Sequence, residues 1–170
     1  MITFRLFDSL PNEVLARLKA QSKSTTDPDY LNSIEEYLDN GSGECYLRRP
    51  EIADVMQATL LRSDKEKYIL LAWVIMPNHV HVIASQCEGW PLAKIVHGWK
   101  SFTAHQANKF LRRKGRFWQP DYFDRMIRDD NHLHSAIEYI HNNPVKAGLV
   151  SSADSWEYSS YKRLVFGETE

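Results

Sequence analysis

The amino-acid sequence predicts an α+β fold, a ferredoxin-like (RRM-like) antiparallel sheet with helices mainly on one face. The prediction rests on short apolar segments of strand length that alternate with longer segments of helical periodicity. Their order is strand, helices, strand, strand, helix, strand, helix, which is close to the βαββαβ pattern. The 170 residues contain no internal repeat or low-complexity tract. We therefore expect one domain over residues 1–170.

The first half of the chain contains the predicted hairpin. The predicted elements are a strand at 2–7, helices at 12–21 and 28–39, a helix from Pro50 to about Leu61, and strands at 67–76 and 79–85. The sequence Asn40-Gly41-Ser42-Gly43 marks a break before the third helix. Met76-Pro77-Asn78 turns the chain between the last two strands, which therefore form a hairpin.

The second half of the chain alternates helix and strand. A long helix is predicted at 91–112, a strand at 121–127, and a helix that begins after Asp129 or Asp130 and includes Tyr139. Pro144 is expected to limit this last helix, and Gly148 suits its C-terminal stop. The tail after Val150 is polar and is predicted to be peripheral.

Composition places the chain among ordinary globular proteins, with 43% hydrophobic and 25% charged residues. No apolar run approaches the roughly 20 residues that span a bilayer, and the start of the chain has no signal-peptide pattern. We therefore expect no membrane partner. Cys45 and Cys87 lie far apart without a CxxC motif, which argues against a zinc site or a disulfide framework and suits a reducing cytoplasm.

The net charge of -1 conceals a basic segment. Residues 91–128 hold nine Lys and Arg against two Asp, a net charge of +7, interleaved with aromatic residues. The cations are Lys94, Lys100, Lys109, Arg112, Arg113, Lys114, Arg116, Arg125 and Arg128. Cations neutralise phosphates and aromatic rings stack on unpaired bases, so the segment is a candidate nucleic-acid surface. An amphipathic helix with a solvated basic face is the alternative.

His79-Val80-His81 lies on a predicted strand. Side chains alternate along a strand, so both imidazoles point to the same side and Val80 points to the other. Two residues along a strand span about 6.6 Å, which allows two rings to share one metal ion. Two satisfied structural histidines are the alternative.

Tyr139 and Asn143 are four residues apart on a predicted helix and therefore share one face. Ile137, Ile140 and Val145 are the more natural core positions, which leaves Tyr139 free to face something polar. A core tyrosine with an asparagine cap before Pro144 is the alternative, and for the pair alone it is the favoured interpretation.

Four segments carry a resemblance to a known family. MPNHVHVIAS, SFTAHQANKF, GRFWQPDYFDRMIRDDNHL and AIEYIHNNPVKAGLV resemble the REP-associated tyrosine transposases. These are bacterial relatives of the single-tyrosine (IS200-like) transposases, within the HUH endonuclease superfamily. The similarity runs from about Tyr68 to Trp156, and ITFRLFDSLP resembles the family's first strand. The start of this chain lacks the short segment that often precedes that strand.

The resemblance implies a site and an activity. His79 and His81 match the paired metal-binding histidines, Asn143 the third ligand, and Tyr139 the nucleophile. The implied activity is metal-dependent cleavage and rejoining of single-stranded DNA through a 5′-phosphotyrosine, with Mg²⁺ or Mn²⁺ as the cofactor. The implied partner is single-stranded or hairpin (REP-like) DNA in transposition or a domesticated derivative of it. The resemblance also implies a monomer or homodimer that acts in the bacterial cytoplasm in association with the nucleoid.

The expected DNA-binding residues are the cations Lys100, Lys109, Arg112, Arg113, Lys114, Arg116, Arg125 and Arg128. No general base for the tyrosine is assigned, and Asp124 and His105 are candidates for support only. The main rival is a catalytically silent nucleic-acid-binding module on the same fold. A structural metal protein and a simple metal phosphodiesterase are further alternatives, and neither needs Tyr139.

Overall fold

A computed structural model describes residues 1–22, 24 and 27–166. The strands are β1 (Ile2–Arg5), β2 (Tyr68–Ile75), β3 (His79–Gln86) and β4 (Phe123–Asp124). The helices are α1 (Asn12–Gln21), α2 (Pro28–Asp39), α3 (Pro50–Arg62), α4 (Leu92–Phe110), α5 (Asp130–Lys146) and α6 (Tyr161–Phe166). Short 3₁₀ turns occur at Tyr46–Arg48 and Ala153–Ser155. The predicted α+β class is confirmed.

The four strands form one antiparallel sheet in the order β2-β3-β1-β4. Strand β1 lies in the interior of the sheet, although it is short and begins one residue into the chain. Its register with β3 places Thr3 opposite His81 and Arg5 opposite His79. Thr3 and the histidines therefore belong to the same small area of the sheet.

The two faces of the sheet carry different residues, as strand alternation requires. Phe4, Val80 and Val82 pack with α3 and α4 in the larger core cluster. Val74 and Ile83 pack under Ile140 of α5 on the opposite face. Helices α3 and α4 therefore lie on one face of the sheet, as expected, and α5 lies on the other. His79 and His81 alternate with Val80 and Val82, so they lie on the α5 face.

Helix α4 packs against the sheet through one apolar stripe. Its buried residues are Ile95, Val96, Trp99, Thr103 and Ala107, at the three- and four-residue spacing of a helix face. The indole N–H of Trp99 donates to the Tyr68 hydroxyl at 2.9 Å, which satisfies both groups in the core. The basic residues at the end of this helix are thus carried by an element on the face opposite the histidines.

Helix α5 continues further than the sequence predicts. The Asp129 side chain accepts from the His132 N–H at 2.8 Å and caps its first turn. Pro144 lies inside the helix, and the expectation that it limits the helix is wrong. The Ala147 N–H still reaches the Asn143 carbonyl at 2.9 Å, so the helical bonds continue past the proline. Gly148 ends the helix with a φ of +67°, as expected for a C-terminal glycine.

The predicted strand at 121–127 is reduced to the two residues of β4. Its partner β1 is short, and only Ile2 and Thr3 pair with it. Further along β1, the Arg5 carbonyl accepts from Gln119 instead. Pro120 lies between these two pairings and has no N–H to donate.

The tail after Val150 is not peripheral, contrary to expectation. The Tyr158 carbonyl accepts from the Ile75 N–H at 2.8 Å, and the Ser160 N–H donates to the Trp73 carbonyl at 3.0 Å. These bonds run along the outer edge of β2, which the sheet leaves without a neighbouring strand. The tail therefore covers an edge that would otherwise be open to another chain. Among the helices of the described residues, none is long and apolar enough to cross a membrane.

Candidate active site

The two histidines of β3 meet at their ring nitrogens. Both are fully buried, and the Nε2 atoms of His79 and His81 are 3.1 Å apart. The rings are nearly perpendicular, with centroids 4.8 Å apart. The prediction that both imidazoles point to the same side is therefore confirmed.

Asn78 determines which nitrogen of His79 carries the proton. The amide nitrogen of Asn78 donates to the carbonyls of Leu38 and Ser42, so its amide oxygen faces His79 Nδ1 at 2.8 Å. A carbonyl oxygen only accepts, so His79 Nδ1 must be the donor. In the neutral ring this leaves a free lone pair on His79 Nε2, directed at His81.

Thr3 holds the second histidine. Its hydroxyl lies 2.8 Å from His81 Nδ1. A hydroxyl both donates and accepts, so Thr3 accommodates either neutral tautomer of His81. One tautomer lets His81 donate to His79, and the other presents both Nε2 lone pairs to a common ion. Partners on the far ring nitrogens are the usual outer contacts of histidine ligands.

Burial keeps both rings neutral. It lowers the pKa of His79 well below its usual value, with the neighbouring His81 acting in the same direction. It also lowers the pKa of His81 to about 3, with a smaller contribution from the charge of Lys146. A metal ion binds neutral imidazole, so the protonation state required of a ligand is already present.

Asn143 fits the role of a third ligand. It is 1% exposed, and neither its amide oxygen nor its amide nitrogen forms a hydrogen bond of ordinary geometry among the described residues, although the amide lies close enough to the Tyr139 hydroxyl to lower its pKa. Buried polar groups without protein partners are rare, and a bound ion or water molecule is one of the reasons for which they occur. Two neutral imidazoles and an amide oxygen suit a divalent ion such as Mn²⁺ or Mg²⁺. Within the described residues, no group of three or more His, Cys, Asp and Glu side chains offers another such site.

Tyr139 stands beside the histidines on the same helix face as Asn143. Its ring meets that of His81 edge to face, with centroids 5.7 Å apart. Its hydroxyl donates to Glu35 Oε2 at 2.7 Å. Burial raises the pKa of Tyr139, the Glu35 carboxylate raises it further, and the nearby Asn143 amide acts in the opposite direction. The phenol is therefore protonated before any reaction.

Helix α2 supplies the acidic side of the site. Burial raises the pKa of Glu35, while the hydrogen bond from Tyr139 lowers it. One turn later, Asp39 pairs with the Lys146 ammonium at 3.2 Å. That ammonium lies 5.9 Å from the centroid of the Tyr139 ring. Tyr139 is thus held between a carboxylate of α2 and a cation of its own helix.

A cleft of about 640 Å³ opens beside these groups. Glu35 and Tyr139 line it together with Thr3, and residues of β4 and of the loop after it complete the wall. Asp124 is exposed in this wall. His105 is exposed on α4, which packs on the opposite face of the sheet.

The structure separates the expected DNA-binding residues into two groups. Arg125 lines the cleft, and the backbone N–H of Arg128 contacts His132, which also lines it. Both arginines are exposed and lie between β4 and α5. The cations at or after the end of α4 are Lys109, Arg112, Arg113, Lys114 and Arg116. Only the first group adjoins Tyr139.

Several residues of the basic segment have structural partners. The Lys100 ammonium donates to the carbonyls of Pro120 at 2.7 Å and Asp121 at 3.2 Å. Arg113 lies over the ring of Tyr46, and Arg116 lies over the ring of Phe7. The buried aromatic residues of the segment are Trp99, Phe117 and Trp118, which belong to the core. Phe102 and Phe110 are exposed.

Four contributors to the site are not identifiable from the sequence. Thr3 is recognisable only from the strand register, since 78 positions separate it from His81. Glu35 lies 104 positions from Tyr139, in a helix whose sequence carries no functional signal. The sequence indicates only a turn at Asn78. It gives Lys146 no role beyond its charge.

A family profile described as "Transposase IS200 like" matches residues 49–143. This segment contains His79, His81, Tyr139 and Asn143 and covers more than half of the chain. It leaves out β1 and α2, and with them Thr3 and Glu35.

Two curated relatives agree with this match. The chain is similar to a "Putative REP-associated tyrosine transposase" of Haemophilus influenzae, at 32% identity over 58% of this chain and 61% of the relative. It is also similar to a "REP-associated tyrosine transposase" of Escherichia coli, at 30% identity over 55% of this chain and 54% of the relative. The matches therefore span only part of the relatives' own length.

A solved structure shows the same fold. The "Structure of the REP associates tyrosine transposase bound to a REP hairpin" superposes with a TM-score of 0.62 at 17% identity. The superposition covers 99% of this chain and 80% of the other. Together with the profile match, which covers the histidine pair, the tyrosine and the asparagine, it leads to one conclusion: this chain belongs to the IS200-like transposase family.

Proposed function

We propose that this chain is a metal-dependent single-stranded DNA endonuclease and strand transferase that acts on hairpin, REP-like DNA. The observation that carries the proposal is the buried His79–His81 pair with the Tyr139 ring against His81, together with the unpartnered Asn143 amide one helical turn after Tyr139. A silent binding module would not need a buried amide without a partner beside two neutral histidines.

The proposed chemistry uses few side chains. His79, His81 and Asn143 would hold Mg²⁺ or Mn²⁺, which when bound supplies electrophilic activation of a scissile phosphate. Tyr139 Oη forms a bond to phosphorus, and the bond between phosphorus and the 3′-oxygen breaks with its electron pair passing to that oxygen. The product is a 5′-phosphotyrosine and a free 3′-hydroxyl. The covalent bond preserves the energy of the phosphodiester, so the strand can be rejoined without ATP.

We propose that the unpaired strand enters through the cleft beside Tyr139, with Arg125 and Arg128 contacting its phosphates. Tyr139 is half-buried, and its hydroxyl is bonded to Glu35 of α2. An unpaired backbone suits this entrance because it is more flexible than a rigid duplex and can bring a phosphate to a partly buried hydroxyl. The second group of cations, at the end of α4, would contact DNA further from the scissile phosphate. We further propose that the chain acts in transposition, or in a domesticated derivative of it, as a monomer or a homodimer.

The decisive experiment looks for a covalent adduct. Labelled single-stranded hairpin oligonucleotides are incubated with the protein and Mn²⁺ or Mg²⁺, and the products are separated on a denaturing gel. We expect a protein–DNA adduct that Tyr139→Phe abolishes and that Tyr161→Phe, a tyrosine of the tail, retains. Binding of DNA by the wild type without any adduct would instead favour the silent binding module.

A salt titration of DNA binding distinguishes the roles of the two groups of cations. Arg125→Gln with Arg128→Gln should slow adduct formation and reduce the salt slope of DNA affinity by about 1 per lost phosphate contact. Arg112→Gln with Lys114→Gln removes the same charge from exposed positions at the end of α4. We expect this second pair to weaken binding while leaving the cleavage rate at saturating DNA unchanged.

A further inference from the structure

The hydroxyl of Tyr139 has a defined hydrogen-bond partner. It donates to Glu35 Oε2 at 2.7 Å, a short distance that is typical of a hydroxyl bonded to a carboxylate. Glu35 comes from α2 and Tyr139 from α5, so the contact joins two elements that meet only in the folded protein. The oxygen atom that would attack phosphorus is thus already bonded to a proton acceptor.

The neighbouring charges leave Glu35 available for this role. Lys146 and Arg125 are the nearby cations, and Lys146 pairs with Asp39 at 3.2 Å. Glu35 therefore faces the Tyr139 hydroxyl without an ion pair of its own among the contacts of the described residues. Both Glu35 and Tyr139 line the cleft, so water and small ions can reach the carboxylate.

We propose that Glu35 is the catalytic base of the cleavage step and, in the reverse direction, the acid of the rejoining step. This inference rests on the proposed function. During cleavage, the Tyr139 proton passes to Glu35 Oε2 as the bond from Oη to phosphorus forms. The departing 3′-oxygen takes its proton from water. During rejoining, a 3′-hydroxyl attacks phosphorus and releases its proton to water, and the departing Tyr139 oxygen recovers its proton from Glu35.

The geometry favours a base over a simple tether. A general base must lie within hydrogen-bond reach of the proton that it removes, and Glu35 does. Burial raises the pKa of Glu35, which strengthens the carboxylate as a proton acceptor. Asp124 and His105, the two residues that the sequence suggests for support, make no such contact with Tyr139 within the described part of the chain.

The test compares Glu35→Gln with Glu36→Gln, an exposed glutamate at the next position of the same helix. Single-turnover adduct formation and rejoining are measured at saturating DNA, and DNA affinity is measured separately. We expect Glu35→Gln to slow both steps by about 10²- to 10⁴-fold, the typical contribution of a general base. DNA affinity should stay within about twofold, and Glu36→Gln should behave as the wild type.

A chemical rescue distinguishes a base from a structural contact. Glu35→Ala should be slow and should regain rate when formate or acetate is added, because a small carboxylate can occupy the space left in the cleft. Glu35→Gln fills that space and should not respond. Glu35→Asp keeps a carboxylate and should be intermediate in rate, which provides a second variant if either of the others fails to fold.

The outcomes separate the two proposals. If the wild type forms an adduct that depends on Tyr139 while Glu35→Gln reacts at the wild-type rate or faster, Glu35 is not the base and the proposed function stands. A slow Glu35→Ala that no carboxylate rescues also rejects the base. If the wild type never forms an adduct, the proposed function fails, and the role of Glu35 fails with it.

Discussion

At the scale of single residues, the site depends on side chains that hold the histidines rather than on the histidines alone. The Thr3 hydroxyl lies 2.8 Å from Nδ1 of His81, and the Asn78 amide oxygen lies 2.8 Å from Nδ1 of His79. Their bonds orient the rings so that both Nε2 atoms converge. The geometry expected of a pair of ligands is therefore built by two residues that carry no charge.

We predict that Thr3→Val weakens Mn²⁺ binding by about 10- to 100-fold, the typical effect of removing an outer contact of a ligand. Valine has the shape of threonine but offers His81 no hydrogen bond. Isothermal titration of the purified protein with Mn²⁺ measures the change. Thr59→Val is the control, because its hydroxyl bonds within α3 to the Val55 carbonyl. Equal affinities of wild type and Thr3→Val would contradict the role of Thr3.

We predict that a substitution of Asn143 increases the stability of the protein but removes its metal binding. Its two unpartnered polar atoms each cost about 1–3 kcal/mol when buried without a bond. Asn143→Leu should therefore raise the unfolding free energy of the metal-free protein by about 1–2 kcal/mol, while it abolishes Mn²⁺ binding.

Urea unfolding in the presence of a chelator measures this gain. Asn142→Leu, at the exposed neighbouring position, is the control and should change stability by less than about 0.5 kcal/mol. A loss of stability in Asn143→Leu would show that the amide has partners in the folded protein.

At the scale of elements, helix α5 and the tail cooperate. The Nε2 atom of His141, on α5, lies 2.9 Å from the Ser160 hydroxyl. The same hydroxyl accepts from the backbone N–H of Trp73 at 2.9 Å. One buried hydroxyl thus joins the helix that carries Tyr139 to the outer strand of the sheet. The tail consequently affects the position of α5.

We predict that Ser160→Ala lowers the unfolding free energy by about 1–3 kcal/mol, because His141 and the Trp73 N–H lose a buried partner. Urea unfolding monitored by tryptophan fluorescence measures the loss. Ser152→Ala is the control, since that hydroxyl is exposed and bonds to the neighbouring Ser155 hydroxyl of the same turn. A peripheral tail would give the same stability for both variants.

At the scale of the whole molecule, buried histidines couple stability to pH. Burial lowers the pKa of His79, and it lowers the pKa of His81 to about 3. The ordinary pKa of histidine is about 6.5. Below this pH the histidines of the unfolded chain take up protons, whereas the buried histidines of the folded protein do not. Stability therefore falls as the pH decreases from about 6.5. The raised pKa values of Glu35 and Asp39 act in the opposite direction at lower pH.

We predict that the metal-free protein loses up to about 1.4 kcal/mol per pH unit for each buried histidine below pH 6.5. The measurement is the unfolding free energy in urea between pH 7 and about pH 5, with a chelator present. The matched variant His81→Gln should show a shallower dependence because one of the titrating rings is absent. The same slope in both proteins would rule out this histidine as a source.

The distribution of charge is also a property of the whole molecule. The sequence shows one basic segment, and the fold divides it between a cleft beside Tyr139 and the end of α4. Lys100 belongs to neither group, since two backbone carbonyls bind its ammonium. A charge count along the chain therefore does not show which cations share a surface in the folded protein.

Local sequence signals predicted helices α1 to α5, the hairpin and the shared face of His79 and His81, but not α6. These features follow from local signals, such as the cap at Asp129 and strict strand alternation, which act within a few residues. Local signals failed at Pro144, where the helix continues, and in the tail, where polar composition suggested no packing. The family was also recognisable, because its motifs are contiguous segments.

The groups that surround the candidate site residues come together through the tertiary structure. Thr3 reaches His81 across 78 positions through the pairing of β1 with β3, and Glu35 reaches Tyr139 across 104 positions through the packing of α2 against α5. Neither contact leaves a periodic pattern in the sequence, because each depends on the relative position of two elements rather than on the residues within one. The sequence thus predicted a nucleophile and a set of metal ligands, and the fold supplied the groups that orient the histidines and face Tyr139.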